Sequence, residues 1–168
     1  QRGPGPPGGA RRQLTFLAEP VRAGAFQPKS GATIVFAQDT GGGEFYQLYR
    51  LDLADGRITL LTDGKSRNTG ARWAHSGKQL AFTSTRRNGR DNDIWILDSR
   101  APDEAKLVRE VEGGGWAVLD WSHDEKKLLL GHYLSINESS LHLFDLGTGQ
   151  VEQLTPKANE KVVWAGGQ

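Results

Sequence analysis

The chain has 168 residues, and its 21 basic and 20 acidic side chains leave a net charge of +1. Charge this balanced excludes nucleic-acid binding driven by bulk electrostatics, and the absence of cysteine excludes disulfides and thiolate metal sites. The length suits one domain, no apolar run approaches the roughly 18 residues of a membrane span, and 22 Gly with 7 Pro favour short strands and turns.

Residues 1–12 are rich in Gly and Pro and read as a disordered leader. The chain begins at Gln1 rather than Met, so it is expected to be a piece of something longer. Residues 13–15 read as the end of an outer strand from a preceding repeat. Residues 13–168 as a whole are then organised by a repeat.

Three markers share one period. The first is an aromatic residue followed by a polar turn: Phe26, Trp73, Trp121 and Trp164, spaced 47, 48 and 43 residues apart. The second is a strand ending in Asp, at Asp52, Asp98 and Asp145, spaced 46 and 47. The third is Leu-Thr, at Leu14-Thr15, Leu61-Thr62 and Leu154-Thr155; a copy without Thr is expected near Leu107-Val108. Within the second repeat, strands are expected over 71–74, 79–84, 93–97 and 106–111. The run from Asp93 to Asp98 alternates imperfectly, as a strand buried on both faces does. Four antiparallel strands per period of about 45 residues mark a β-propeller blade. The fold class is therefore all-β: a partial propeller of three four-stranded antiparallel blades over 21–64, 65–112 and 113–156, plus the start of a fourth over 157–168.

In a propeller, the loops between second and third strands share a face with the connections between blades. That face collects the segments 39–45, 86–92, 134–140, 63–68 and 113–116. Loops on a rigid scaffold are where binding residues concentrate. Glu44, Arg86, Arg87 and Trp116 are the candidate substrate-binding residues. For Glu44 the alternative is an ion pair with Arg67 or Arg86 of the neighbouring blade. Gly41-Gly42-Gly43 suits a hairpin turn, because the helix and Lys-Ser/Thr of a phosphate loop are missing.

No catalytic residue is identified, since no G-x-S-x-G elbow occurs. No metal site and no cofactor is expected. His75 and His123 hold equivalent turn positions in successive blades and are expected to lie apart, and His142 sits within a strand. Asn137-Glu138-Ser139 has the form of a glycosylation sequon.

The stretch Trp121-Ser122-His123-Asp124-Glu125-Lys126, with the apolar strand after it, resembles the TolB-type propeller repeat. Several loop stretches resemble the N-terminal propeller of bacterial serine peptidases of the prolyl oligopeptidase family, in the dipeptidyl peptidase and acylaminoacyl peptidase branch. These are residues 43–50, 60–68, 84–91 and 113–121. The resemblance covers about 13–164. It implies a propeller that caps an α/β-hydrolase domain, limits access to short peptides and helps hold the peptide substrate. The partners it implies are the remainder of the propeller, the hydrolase domain and the peptide. The third repeat departs from the pattern, with Asp124-Glu125 where Asp-Gly is usual.

A second reading is a TolB-like propeller that docks a protein partner on its loop face and has no enzymatic role. A third is an excised fragment whose open blade edges and apolar faces favour self-association. Neither nucleic acid nor a membrane is expected as a partner.

Overall fold

The computed structural model describes residues 21–39 and 41–155. The leader, residues 13–15, Leu14-Thr15, Trp164 and the start of a fourth blade lie outside these residues. Twelve strands follow in three antiparallel sheets, each in chain order, and the described residues contain no helix. The first sheet is β1 (Val21–Phe26), β2 (Thr33–Gln38), β3 (Gln47–Asp52) and β4 (Ile58–Leu60). The second is β5 (Asn68–Trp73), β6 (Gln79–Ser84), β7 (Asp93–Asp98) and β8 (Ala101–Arg109). The third is β9 (Trp116–Trp121), β10 (Lys127–Ser135), β11 (Glu138–Asp145) and β12 (Val151–Gln153). The all-β partial propeller is thereby borne out.

The middle sheet is buried on both faces, and its side chains sort by parity. Leu80, Phe82 and Leu97 pack with Val35 and Leu48 of the first sheet. Ala81, Ile94 and Ile96 pack with Val118, Leu128, Leu130 and Phe144 of the third. Successive residues of a strand point to opposite faces, so one strand feeds two cores. This is why the run from Asp93 to Asp98 lacks a clean polar face.

The markers have mechanical roles. In two sheets the Leu amide extends the outer strand: Leu61 donates to the Leu48 carbonyl and Leu154 to the Leu141 carbonyl, each at 2.8 Å. The Thr hydroxyl then accepts the third-strand amide, from Leu48 to Thr62 and from Leu141 to Thr155, each at 3.1 Å. In the second sheet Ile94 pairs with Arg109, so Arg109-Glu110 occupies the Leu-Thr position. The expected place at Leu107-Val108 is corrected by two residues. The cause is the irregular pairing of β8, which starts at Ala101, earlier than its sequence suggests.

The aromatic marker joins neighbouring blades. The Trp73 indole donates to the Ala25 carbonyl at 3.4 Å, and the Trp121 indole to the Arg72 carbonyl at 3.0 Å. The turns after these strands also touch. His75 and His123 have ring centroids 5.8 Å apart, which corrects the expectation that they lie apart. Their turns follow the first strands of two blades, and those strands run side by side, with Arg72 donating to the Leu119 carbonyl at 3.0 Å. Among the described residues no cluster of His, Asp or Glu is placed to hold a metal.

Glu125 takes the left-handed position that Gly77 holds in the preceding turn, with φ of 58° against 72°. Its carboxylate accepts the Ser76 amide, and the Ser76 hydroxyl at 3.0 Å. A non-glycine residue there costs about 1 kcal/mol of backbone strain, offset by hydrogen bonds that tie two blades together. Glu125→Ala keeps the strain and loses both bonds, whereas Glu125→Gly loses the bonds and the strain. The expected result is that Ala destabilises more than Gly in urea titrations. The reverse order would mean that the carboxylate contributes nothing.

Candidate functional site

The loop face is built by tying the long hairpins to the connections that enter or leave their blades. Arg67 and Thr85 bond reciprocally: the Thr85 amide donates to the Arg67 carbonyl at 3.0 Å, and the Arg67 amide to Thr85 Oγ1 at 3.1 Å. Asn92 donates to the Gly113 carbonyl at 3.0 Å, and Tyr133 to the Gly115 carbonyl at 2.9 Å.

Buried polar side chains at the heads of β3 and β7 reinforce these ties. Gln47 is fully buried. Its amide donates to the Ser66 carbonyl at 2.7 Å, and its oxygen accepts from the Gly64 amide at 3.0 Å. Asp93, the equivalent residue one blade on, is also fully buried. It accepts the Val111 amide at 3.0 Å and two Arg87 bonds, from Nε at 2.8 Å and from a terminal nitrogen at 3.0 Å.

Arg87 thus anchors the β6–β7 loop. It also pairs with Asp91 at 3.1 Å and Glu110 at 3.6 Å. The hydrogen bonds to Asp93 push its pKa further up, so it stays charged at any working pH. Asp91 is nearly buried and accepts from Arg90 at 2.9 Å, from Asn88 at 2.7 Å and from the Gly113 amide at 2.9 Å. Arg90 first, then Asn88 and that amide, hold its carboxyl well below the usual range. A depressed folded-state pKa stabilises above the unfolded value of about 3.9, and the stabilisation is lost as pH falls through the folded value. The melting temperature is therefore expected to decline below about pH 4, and Asp91→Asn should make that acid limb shallower. An unchanged limb would exclude Asp91 as its source.

Arg87 and Trp116 line one cleft of about 620 Å³ between the second and third blades. Its rim adds Arg90, Arg109, Glu110 and Glu112, and its floor adds Leu130 and Val151. Trp116 stacks on His132 with centroids 4.0 Å apart and planes 8° off parallel. It also meets His142 at 5.0 Å, and its indole N–H is buried without a partner among the described residues. Burial, and then the neighbouring His132, lower the His142 pKa. An imidazole whose pKa drops on folding takes up a proton more readily unfolded, so stability falls as pH drops below about 6.5. His142→Gln should flatten the melting-temperature slope between about pH 7 and pH 5. An unchanged slope would place its origin elsewhere.

The other two candidates stand apart from the cleft. Arg86 pairs with Asp63 of the preceding connection at 3.6 Å and lies over the Trp95 ring at 5.3 Å. Glu44 is exposed, with φ of 59°, and its amide donates to Asp39 at 3.2 Å. The alternative ion pair for Glu44 does not form among the described residues: Arg67 lies over the Phe45 ring at 5.5 Å, and Arg86 is on Asp63. Sequence reasoning passed over Asp91, Asp93, Gln47 and the His132–Trp116 stack. The available signal was a polar residue at one repeat position, Gln47 and Asp93, directly before the apolar run of each central strand.

No family model and no curated protein matches the sequence. Solved structures do. TolB from Acinetobacter baumannii is 27% identical, with a TM-score of 0.66, over 88% of this chain and 35% of its own. The putative TolB of Agrobacterium tumefaciens is 20% identical, with a TM-score of 0.67, over 84% of this chain and 51% of its own. The three sheets are TolB-like propeller blades. A prolyl endopeptidase shares the fold, with 15% identity and a TM-score of 0.67 over 91% of this chain and 24% of its own. The TolB-like blades are thus related in fold to the propellers of prolyl oligopeptidase-family peptidases. The chain spans about a third to a half of the TolB proteins it matches.

Proposed function

We propose that these TolB-like blades present a loop face that docks polypeptide and does no chemistry of its own. The observation that carries the reading is the blade 2–blade 3 cleft. Paired loops fix its walls, an aromatic side chain lies along it, and charges of both signs line its rim. Such a cleft offers a stacking surface for a side chain and charged partners for backbone and termini, with little ordering cost on binding. The 27% identity with a TolB protein, against 15% with the prolyl endopeptidase, favours this reading over a peptidase cap.

The second reading is the substrate-gating propeller of a serine peptidase whose α/β-hydrolase domain belongs to the same parent protein. The likeness to a prolyl endopeptidase over 91% of this chain favours it. In that case Glu44, Arg86, Arg87 and Trp116 face a short peptide.

Arg109 tests both readings, because it lines the cleft, is exposed and forms no ion pair among the described residues. Fluorescence anisotropy with a panel of labelled peptides is expected to show binding that Arg109→Glu weakens about tenfold, or about 1.4 kcal/mol. The melting temperature should hardly move. Equal binding by the variant, or no binding by any peptide, would overturn the cleft as a docking site. A preference for peptides of a few residues over folded proteins supports the peptidase reading.

A further inference from the structure

The β6–β7 loop carries the only Asn-Gly pair of the sequence, Asn88-Gly89. Such a pair has a chemistry of its own. The glycine nitrogen can attack the carbonyl carbon of the Asn side chain, and with no Cβ on the glycine nothing obstructs the cyclic imide that forms. In this loop every polar atom of that reaction is engaged. The Gly89 amide donates to the Thr85 carbonyl at 2.7 Å. Asn88 Oδ1 accepts from the amides of Arg90 at 3.0 Å and Asp91 at 2.9 Å. Asn88 Nδ2 donates to Asp91 Oδ2 at 2.7 Å. Both residues are exposed, so water reaches them. Two amides on Oδ1 polarise the carbonyl toward attack, as donors do for a developing oxyanion. The nucleophile is what the loop withholds, because its N–H is tied to Thr85.

We propose that Asn88 is a modification site kept silent by the closed loop, and that opening of the loop deamidates it to aspartate and isoaspartate. The step balances with water as the only co-reactant. The Gly89 nitrogen bonds to the side-chain carbon of Asn88 and gives up its proton. The bond from that carbon to Nδ2 breaks, and Nδ2 leaves with the proton as ammonia. Water then opens the cyclic imide at either carbonyl. Neither product suits the loop. A carboxylate replaces the amide donor that faced Asp91, and like charges at hydrogen-bond range repel. Isoaspartate also inserts a methylene into the backbone before Gly89. Asp91 holds the Gly113 amide at 2.9 Å, so the change passes from the loop to the connection between the second and third blades. Asn88 and Asp91 both line the cleft there, and conversion loosens its wall in a way that reclosing does not undo.

The first test uses the unaltered chain. One sample is held folded at mildly alkaline pH and another unfolded in guanidinium chloride. Each is then cleaved after aromatic residues, and the fragment spanning residues 83–95 is analysed by mass spectrometry. Conversion reads as the mass gained when –NH2 becomes –OH at Asn88, with Asn92 in the same fragment as the internal control. The unfolded chain should convert at least about tenfold faster than the folded one, because the rate follows the fraction of time the loop is open. Equal rates would overturn the proposal, since the closed loop would then withhold nothing. An Asn88 that stays unconverted in the unfolded chain would overturn it as well. The second test uses Asn88→Asp, which carries the product charge from the start. Its Gly113 amide should exchange with solvent faster than in the unaltered chain, and its melting temperature should fall. Exchange and melting that both stay unchanged would overturn the loosening of the wall.

Discussion

Gly115→Ala is expected to destabilise the chain by about 3 kcal/mol or more, against about 1 kcal/mol for Gly113→Ala two residues away. Both glycines are left-handed, with φ of 80° and 75°, so both substitutions carry the strain of an L side chain in that region. Their surroundings differ. A Cβ on Gly113 meets nothing within 4 Å, whereas one on Gly115 falls 2.1 Å from the Tyr133 carbonyl oxygen. That oxygen is backbone and cannot swing aside. Either β10 shifts, or the connection shifts and the bond from the Tyr133 amide to the Gly115 carbonyl is lost. The connection carries both the cleft wall and the start of β9, so the damage spreads to Trp116. Urea titration of both variants decides the matter. Equal losses would mean that backbone strain alone matters and that the close approach to Tyr133 is relieved cheaply.

The sequence carries the repeat because each marker has a local mechanical cause. Asp98 and Asp145 recur because their carboxylates accept amides of the following turn, Arg100 at 2.8 Å and Thr148 at 2.9 Å. The tryptophans recur because one indole bond joins each blade to the last. The strands β6 and β7 are readable from their apolar runs, since burial on two faces leaves little room for polar residues. The loop face is less legible. Arg87 meets Asp93 six residues on and Val111 across a whole strand, pairings that no period announces. Trp116 is conspicuous after three glycines, but its partners His132 and His142 arrive from two other strands. Register, not spacing, brings them together: Trp116 pairs with His132, and His142 lies diagonally, opposite Leu130. Where β8 departs from regular pairing, the repeat count slips, and Arg109-Glu110 replaces the expected Leu107-Val108.

Asp93→Ala is expected to cost about 3 kcal/mol, the range for breaking a buried, hydrogen-bonded charge pair from one side. Asp93 is fully buried, and all of its captured bonds hold the loop face to the blade. Its loss leaves the Val111 amide without its acceptor and removes two of the Arg87 bonds. Asp91 and Glu110 still face Arg87, so the guanidinium keeps part of its compensation, which keeps the cost from rising further. Asp93→Asn keeps one acceptor oxygen but turns an amide donor toward a cation, and recovers only part of the loss. Exposed pairs set the contrast. Arg57, which is 67% exposed, 3.6 Å from Asp52 and 3.9 Å from Asp55, should change stability by less than about 0.5 kcal/mol on substitution by Ala. A double-mutant cycle between Arg87→Ala and Asp93→Ala should give a coupling of roughly 1 to 3 kcal/mol. The same variants bear on function. If the cleft docks polypeptide, Asp93→Ala should weaken peptide binding although it touches no ligand, because it releases the wall that Arg87 holds. Lost stability with intact binding would show that the cleft keeps its shape without this anchor. Coupling near zero would show that Arg87 is held by Asp91 and Glu110, with Asp93 serving only Val111.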